Sequence, residues 1–159
     1  MFFVLAQFAM QKNTLLHSGV TVGKEYMVRF KVLCTEFAGT LFTSVLHFTT
    51  GKDGGHGCRI PAVFFMEKNG ERQLRIAVQS TDGEQIVFKH PNIVNNVWID
   101  VVIQQAERAG RYVIELIVNG EIIGSMMNHD PYVFENVNVY ASDPWYPTQP
   151  GFLKDFSFD

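Results

Sequence analysis

Between Val97 and Met127 the chain alternates apolar and polar side chains with the period of a β-strand. Ile99, Val101 and Ile103 alternate with Asp100 and Gln104, and Tyr112, Ile114, Leu116 and Val118 alternate with Glu115 and Asn119. Successive strand side chains point to opposite faces, so each segment sets one face on a core and one in water. The pattern predicts strands at 97–105, 111–118 and 121–127, with a loop over 106–110 and a two-residue turn at Asn119 and Gly120. Asn-Gly suits a type I′ hairpin because both central residues must accept positive φ. The result is an antiparallel meander around which a sandwich has to be built.

The same reading predicts strands at 2–9, 25–34, 41–50, 59–66, 73–80, 85–89, 135–141 and 152–158. Turn chemistry separates them, with Asn69-Gly70 and Asp82-Gly83 as further hairpin signals. No stretch has a helical period with caps, and 92–96 and 106–110 hold a turn of helix at most. Many short strands at regular spacing define an all-β fold, a two-sheet antiparallel jelly-roll sandwich, as a single domain over 1–159. Strands running alternately up and down sort the loops onto two rims. One rim carries 51–58, 82–84, 106–110 and 128–134; the other carries 35–40, 69–70, 90–96, 119–120 and 142–150. A strand such as 135–141 is roughly 20 Å long, so Asp130 and Asp143 are not expected to share a site.

Composition narrows the class. With 159 residues, 47% hydrophobic and 18% charged, the chain can bury one full core and is not a disordered segment. Its 14 Phe residues suit the space between two sheets. A net charge of −3 offers no basic field for phosphates, which argues against a nucleic-acid partner. The apolar opening MFFVLAQFAM lacks a basic leader and a small-residue cleavage site and is far too short for a membrane span, so it reads as the first strand, which a mature chain with its signal removed would also show. Cys34 and Cys58 leave both a disulfide and two buried thiols open.

His47 with the residues up to Thr49, Gly57-Cys58-Arg59-Ile60-Pro61, Trp98 with Ile99 and Val101, Tyr112 leading to Val118-Asn119-Gly120, and Val139-Tyr140-Ala141-Ser142-Asp143-Pro144-Trp145-Tyr146-Pro147 stand out together. From about Glu25 onward the chain resembles the concanavalin A-like, laminin G-like jelly-roll modules of animal extracellular proteins. Within that group it is similar to small calcium-dependent galactose-binding lectins of marine invertebrates. The resemblance implies a secreted, non-catalytic, dimeric protein that binds terminal galactose-like glycans with calcium.

Candidate chemistry fits that expectation only in part. Jelly-roll glycoside hydrolases place paired carboxylates at alternate positions of one strand, and no E-x-D-x-x-E pattern occurs here. Asp82 with Glu84 and Glu67 with Glu71 are the nearest pairs, and all four read as solvated turn residues. Calcium takes six to eight oxygens from loops. The Gly-rich loop 51–57 can fold carbonyls around an ion, and Asp53, Asn128 and Asp130 fall on its rim, with Asp143 on the other rim as the alternative; each also suits a turn or cap.

A sugar needs an aromatic face and planar polar groups. Trp145 and Tyr146 in a Pro-flanked loop supply rings, although Trp145 also suits a lid folded over the sandwich edge. His56 and Arg59 can donate to hydroxyls, and Arg59 can equally anchor a loop. His47, inside a strand, reads as a hydrogen-bonded histidine at the core edge. The galectin patterns His-x-Asn-Pro-Arg and Trp-x-x-Glu-x-Arg are absent. An adhesion module binding a protein through the aromatic loop is the second reading. Under either, the apolar edge at 2–9 predicts a homodimer.

Overall fold

A computed structural model of the chain describes residues 2–4, 6–79 and 85–159. The Asp82-Gly83 turn, with Glu84, and the last residue of the 73–80 strand lie outside the described residues. The strands are β1 (Phe2–Val4), β2 (Phe8–Ala9), β3 (Leu15–Val22), β4 (Tyr26–Cys34), β5 (Phe42–Thr49), β6 (Ala62–Lys68) and β7 (Glu71–Gln79). After them come β8 (Gln85–His90), β9 (Trp98–Arg108), β10 (Arg111–Val118), β11 (Glu121–Asn128), β12 (Phe134–Tyr140) and β13 (Gly151–Phe158). One sheet is ordered β1-β13-β4-β9-β10-β11, with β2 also on β13; the other is ordered β3-β12-β5-β6-β7-β8. The paired strands are antiparallel. Among the described residues no helix is long and apolar enough to cross a membrane.

Alternation in the sequence becomes a two-sided body. Val28, Phe30 and Val32 of β4, Ile99, Val101 and Ile103 of β9, and Ile114, Leu116 and Val118 of β10 face a single buried cluster. Leu46 and Phe48 of β5, Val63 and Phe65 of β6, and Leu74, Ile76 and Val78 of β7 meet them from the opposite sheet. Phe48 joins the layers, with its ring 6.3 Å from Phe156 and 5.3 Å from Phe158 of β13. Each such ring removes a large apolar surface from water, on the order of 1.5–3 kcal/mol per side chain.

Four expectations change. Strand 2–9 is two short strands on one edge, β1 and β2, both paired with β13. The predicted loop 106–110 is mostly strand: β9 runs to Arg108, and Ala109 and Gly110 alone make the turn with φ of 52° and 76°. β3 is a strand with no counterpart in the sequence reading. Finally, β6 begins at Ala62, leaving Arg59 in the loop ahead of it, followed by a cis Ile60-Pro61 peptide.

Glu67 is not the solvated turn residue expected. Its carboxylate accepts the Ala38 N–H at 3.0 Å and the Gly39 N–H at 3.3 Å, and pairs with Arg72 at 3.1 Å. Arg72, fully buried, also donates to Asn95 Oδ1 and to the Glu36 carbonyl. One ion pair thus ties loops 35–41 and 91–97 to the sheet. Cys34 and Cys58 are buried and not joined to each other, and burial pushes the Cys34 thiol up to about 12, where it is inert.

Candidate functional site

The outward face of the β3-β12-β5-β6-β7-β8 sheet carries the residues of interest. Strand periodicity puts Val63, Phe65, Leu74 and Ile76 on the core, so Phe64 of β6 and Arg75 and Ala77 of β7 point away from it. Cross-strand register sets Phe64 opposite Arg75, and Arg75 opposite Lys89 of β8.

Onto this face folds the loop after β12. Ser44 N–H donates to the Pro147 carbonyl at 2.8 Å, Gln149 N–H donates to the Ser44 carbonyl at 3.2 Å, and Thr148 forms a parallel bridge with Ser44. The loop therefore runs back alongside β5 instead of projecting from the end of the sandwich. Asp143 is its anchor. One carboxylate oxygen accepts the N–H groups of Trp145 and Tyr146 at 2.9 and 2.8 Å, while the other lies 2.7 Å from His47 Nδ1.

His47 Nε2 faces the Cys58 carbonyl at 2.5 Å. Both ring nitrogens thus meet oxygen partners. His47 and Asp143 are completely buried, and the pair acts as a strut under the loop. Burial alone would raise the Asp143 carboxyl, yet the contacts with His47, the Tyr146 N–H and Ser44 hold it below the usual carboxylate range.

Above this strut the rings form a run. Trp145 packs edge-on against His47 at 5.5 Å and against Tyr140 at 6.3 Å, and remains 38% exposed. His47 meets Phe64 at 5.7 Å, and Phe64 meets Tyr146 at 4.9 Å. The run ends in a pocket of about 130 Å³ lined by Phe42, Arg59, Phe64, Arg75, Ala77 and Tyr146. Arg59 spans its wall, donating to Tyr146 Oη at 3.2 Å and to Gln85 Oε1 at 3.0 Å, with Asp53 at 3.8 Å. Burial, and then the Asp53 carboxylate, raise the Tyr146 hydroxyl, which stays protonated. Arg75 lies over the Phe42 ring at 5.4 Å.

The residues singled out in the sequence divide among three places. Arg59, Tyr146 and Asp53 come together at this pocket, although loops 51–58 and 142–150 were assigned to opposite rims; that assignment is corrected by the loop lying across the face. Trp145 flanks the same surface. His56 sits elsewhere, with its ring 4.9 Å from Tyr132 and 5.0 Å from Phe134. Asn128 and Asp130 line a cavity of about 20 Å³ beside Tyr26 and Gln105, too small for a sugar.

These donors do not fit a calcium ion as placed. Asn128 spends its oxygen on the Asp130 N–H and its amide on Gln105, and both Asp143 oxygens are committed. Among the described residues no group of three or more His, Cys, Asp and Glu is positioned to hold a metal.

The residues missed by sequence reasoning are Phe42, Phe64 and Arg75. Alternation within strands 41–50, 59–66 and 73–80 was the available signal, since it marks which side chains leave the core. A wider cleft of about 540 Å³ lies among Gly110, Arg111, Tyr112, Met127, Asn128, His129 and Pro131. Tyr112 is its one aromatic lining residue, so it offers little ring surface for a ligand.

No family model and no curated protein matches the sequence. Solved structures do match in fold. The receptor-binding domain of botulinum neurotoxin type G aligns at 15% identity and a TM-score of 0.60, covering 96% of this chain and 38% of that one. An alginate lyase from Pseudomonas aeruginosa aligns at 12% identity and 0.56, covering 85% and 64%. The CBM40 of the Ruminococcus gnavus IT-sialidase aligns at 14% identity and 0.54, covering 95% and 91%. The chain spans less than two thirds of the first two. At such identities the likeness establishes the all-β jelly-roll sandwich and nothing narrower.

Proposed function

We propose that this chain is a carbohydrate-binding module that holds its ligand, without transforming it, in the pocket between Arg59, Phe64, Arg75 and Tyr146. The observation that carries this reading is the pairing of ring faces with fixed donors. Phe42 and Tyr146, both half-buried, offer apolar surface for the underside of a sugar, with Phe64 buried beneath the Arg59 guanidinium as their support, while the guanidinium groups read its oxygens. A pocket of about 130 Å³ has room for one sugar residue at most, so a longer glycan would continue over the exposed Trp145.

The neighbouring CBM40 supports a binding role, and the alginate lyase keeps an enzymatic reading in play. Against catalysis stands the chemistry of the pocket. The carboxylate beside it, Asp53, is offset by Arg59 at 3.8 Å, His47 is buried with both nitrogens engaged, and the Tyr146 hydroxyl is raised away from the range of a base at neutral pH.

A galactose-related glycan, secretion and dimerisation through the β1 and β2 edge are finer expectations that belong to this proposal, and a calcium requirement is not part of it. A glycan array followed by titration calorimetry tests it. We expect binding of at least one glycan class, retained in a calcium chelator because the pocket supplies its own cations. Failure to bind any glycan would refute the reading and favour the protein-binding adhesion module. Cleavage of a bound glycan would refute the non-catalytic part.

A further inference from the structure

We infer that the sugar held in this pocket carries a carboxylate, as a hexuronic acid residue does, and that Arg75 is the group that selects it. The inference rests on the carbohydrate reading of the pocket. It starts from an imbalance of charge. Two guanidinium groups, Arg59 and Arg75, line a small pocket on a protein whose net charge is −3. Asp53, at 3.8 Å, answers Arg59.

Among the described residues nothing anionic answers Arg75. Its contacts are a 3.7 Å approach to Met66 Sδ and the ring of Phe42. Directly across the strand pair, and on the same face, stands exposed Lys89. Like charges opposed across an antiparallel pair cost stability. A bound anion would offset that repulsion and supply the partner that Arg75 lacks.

The form of the anion follows from geometry. The Arg75 guanidinium is a planar fork with parallel N–H donors, and a planar carboxylate accepts two of them at once. The half-buried Phe42, whose ring centroid lies 5.4 Å from the Arg75 guanidinium carbon, places apolar surface beside the fork. A pyranose whose carboxylate meets that fork sets its C–H face against Phe42 and Tyr146. Arg59 contributes less charge because Asp53 offsets it; its role is to hold Tyr146 and meet hydroxyls.

Calorimetry on the full chain with oligogalacturonide, the matching neutral oligogalactoside and the sulfated oligogalactoside tests the inference. We expect the uronide to bind on the order of tenfold tighter than the neutral sugar at low ionic strength, the range of a charge-assisted pair, with the advantage shrinking as salt is added. Arg75→Gln should bring the uronide to within about twofold of the neutral sugar at an unchanged melting temperature, and Arg75→Lys should restore part of the preference. Equal binding of uronide and neutral sugar, preference for the sulfated one, or a preference untouched by Arg75→Gln overturns the inference and leaves the carbohydrate reading standing. If these three and every other glycan on an array fail to bind, the carbohydrate reading falls and this inference with it.

Discussion

At the residue scale, the buried His47–Asp143 pair does the most to make the site. It fixes the loop that carries Trp145 and Tyr146 and, through the Cys58 carbonyl, the segment next to Arg59. Asp143→Asn keeps an oxygen for the two backbone N–H groups but removes the carboxylate that faces His47 Nδ1. Breaking one side of a buried pair costs about 3–5 kcal/mol, and urea unfolding of the variant should show a loss of that size. The carboxyl is depressed in the folded state, so its contribution is present above the ordinary carboxylate range and fades as pH falls through the lowered value. Urea melts across acid pH should therefore show the wild-type advantage over Asp143→Asn shrinking on acidification. The run around Asp143-Pro144-Trp145 stood out in the sequence, and His47 read correctly as a hydrogen-bonded core-edge histidine. That the two belong together did not, because 96 residues separate them and only the pairing of β12 with β5 joins them.

At the scale of elements, legibility followed two-sidedness. Strand 111–118 was read to the residue, because one of its faces meets the core and the other meets water. The Asn69-Gly70 and Asn119-Gly120 turns show the positive φ angles that their sequences demand. β3, LLHSGVTV, was not read. Most of its side chains are exposed, its register with β12 shifts repeatedly, and Gly19 breaks it with φ of 70°, so it leaves no alternation to detect. Gly124 of β11 is a different case, conspicuous only in three dimensions. A Cβ there would come within 2.5 Å of the Phe88 ring, where β11 meets β8 at the open side of the sandwich. Gly124→Ala should thus cost about 1–3 kcal/mol in a thermal or denaturant melt, the usual penalty of overpacking.

For the whole molecule, an up-and-down sandwich correctly sorts strand ends but says nothing about a loop that lies down on a face. Segment 143–149 does so, bonding to Ser44, and brings Tyr146 to Arg59 from what the strand count made the opposite rim. The His56–Tyr132 ring contact, in contrast, keeps loops 51–58 and 128–134 together as that count predicted. The site is therefore a property of the sheet surface, with rings and cations that no local motif announces. A two-dimensional amide NMR titration with the tightest-binding glycan locates the ligand most directly. The account predicts shifts concentrated at Arg59, Phe64, Arg75 and Tyr146 and extending toward Trp145; shifts centred on Gly110, Arg111 and His129, or on the Asn128–Asp130 cavity, would contradict it.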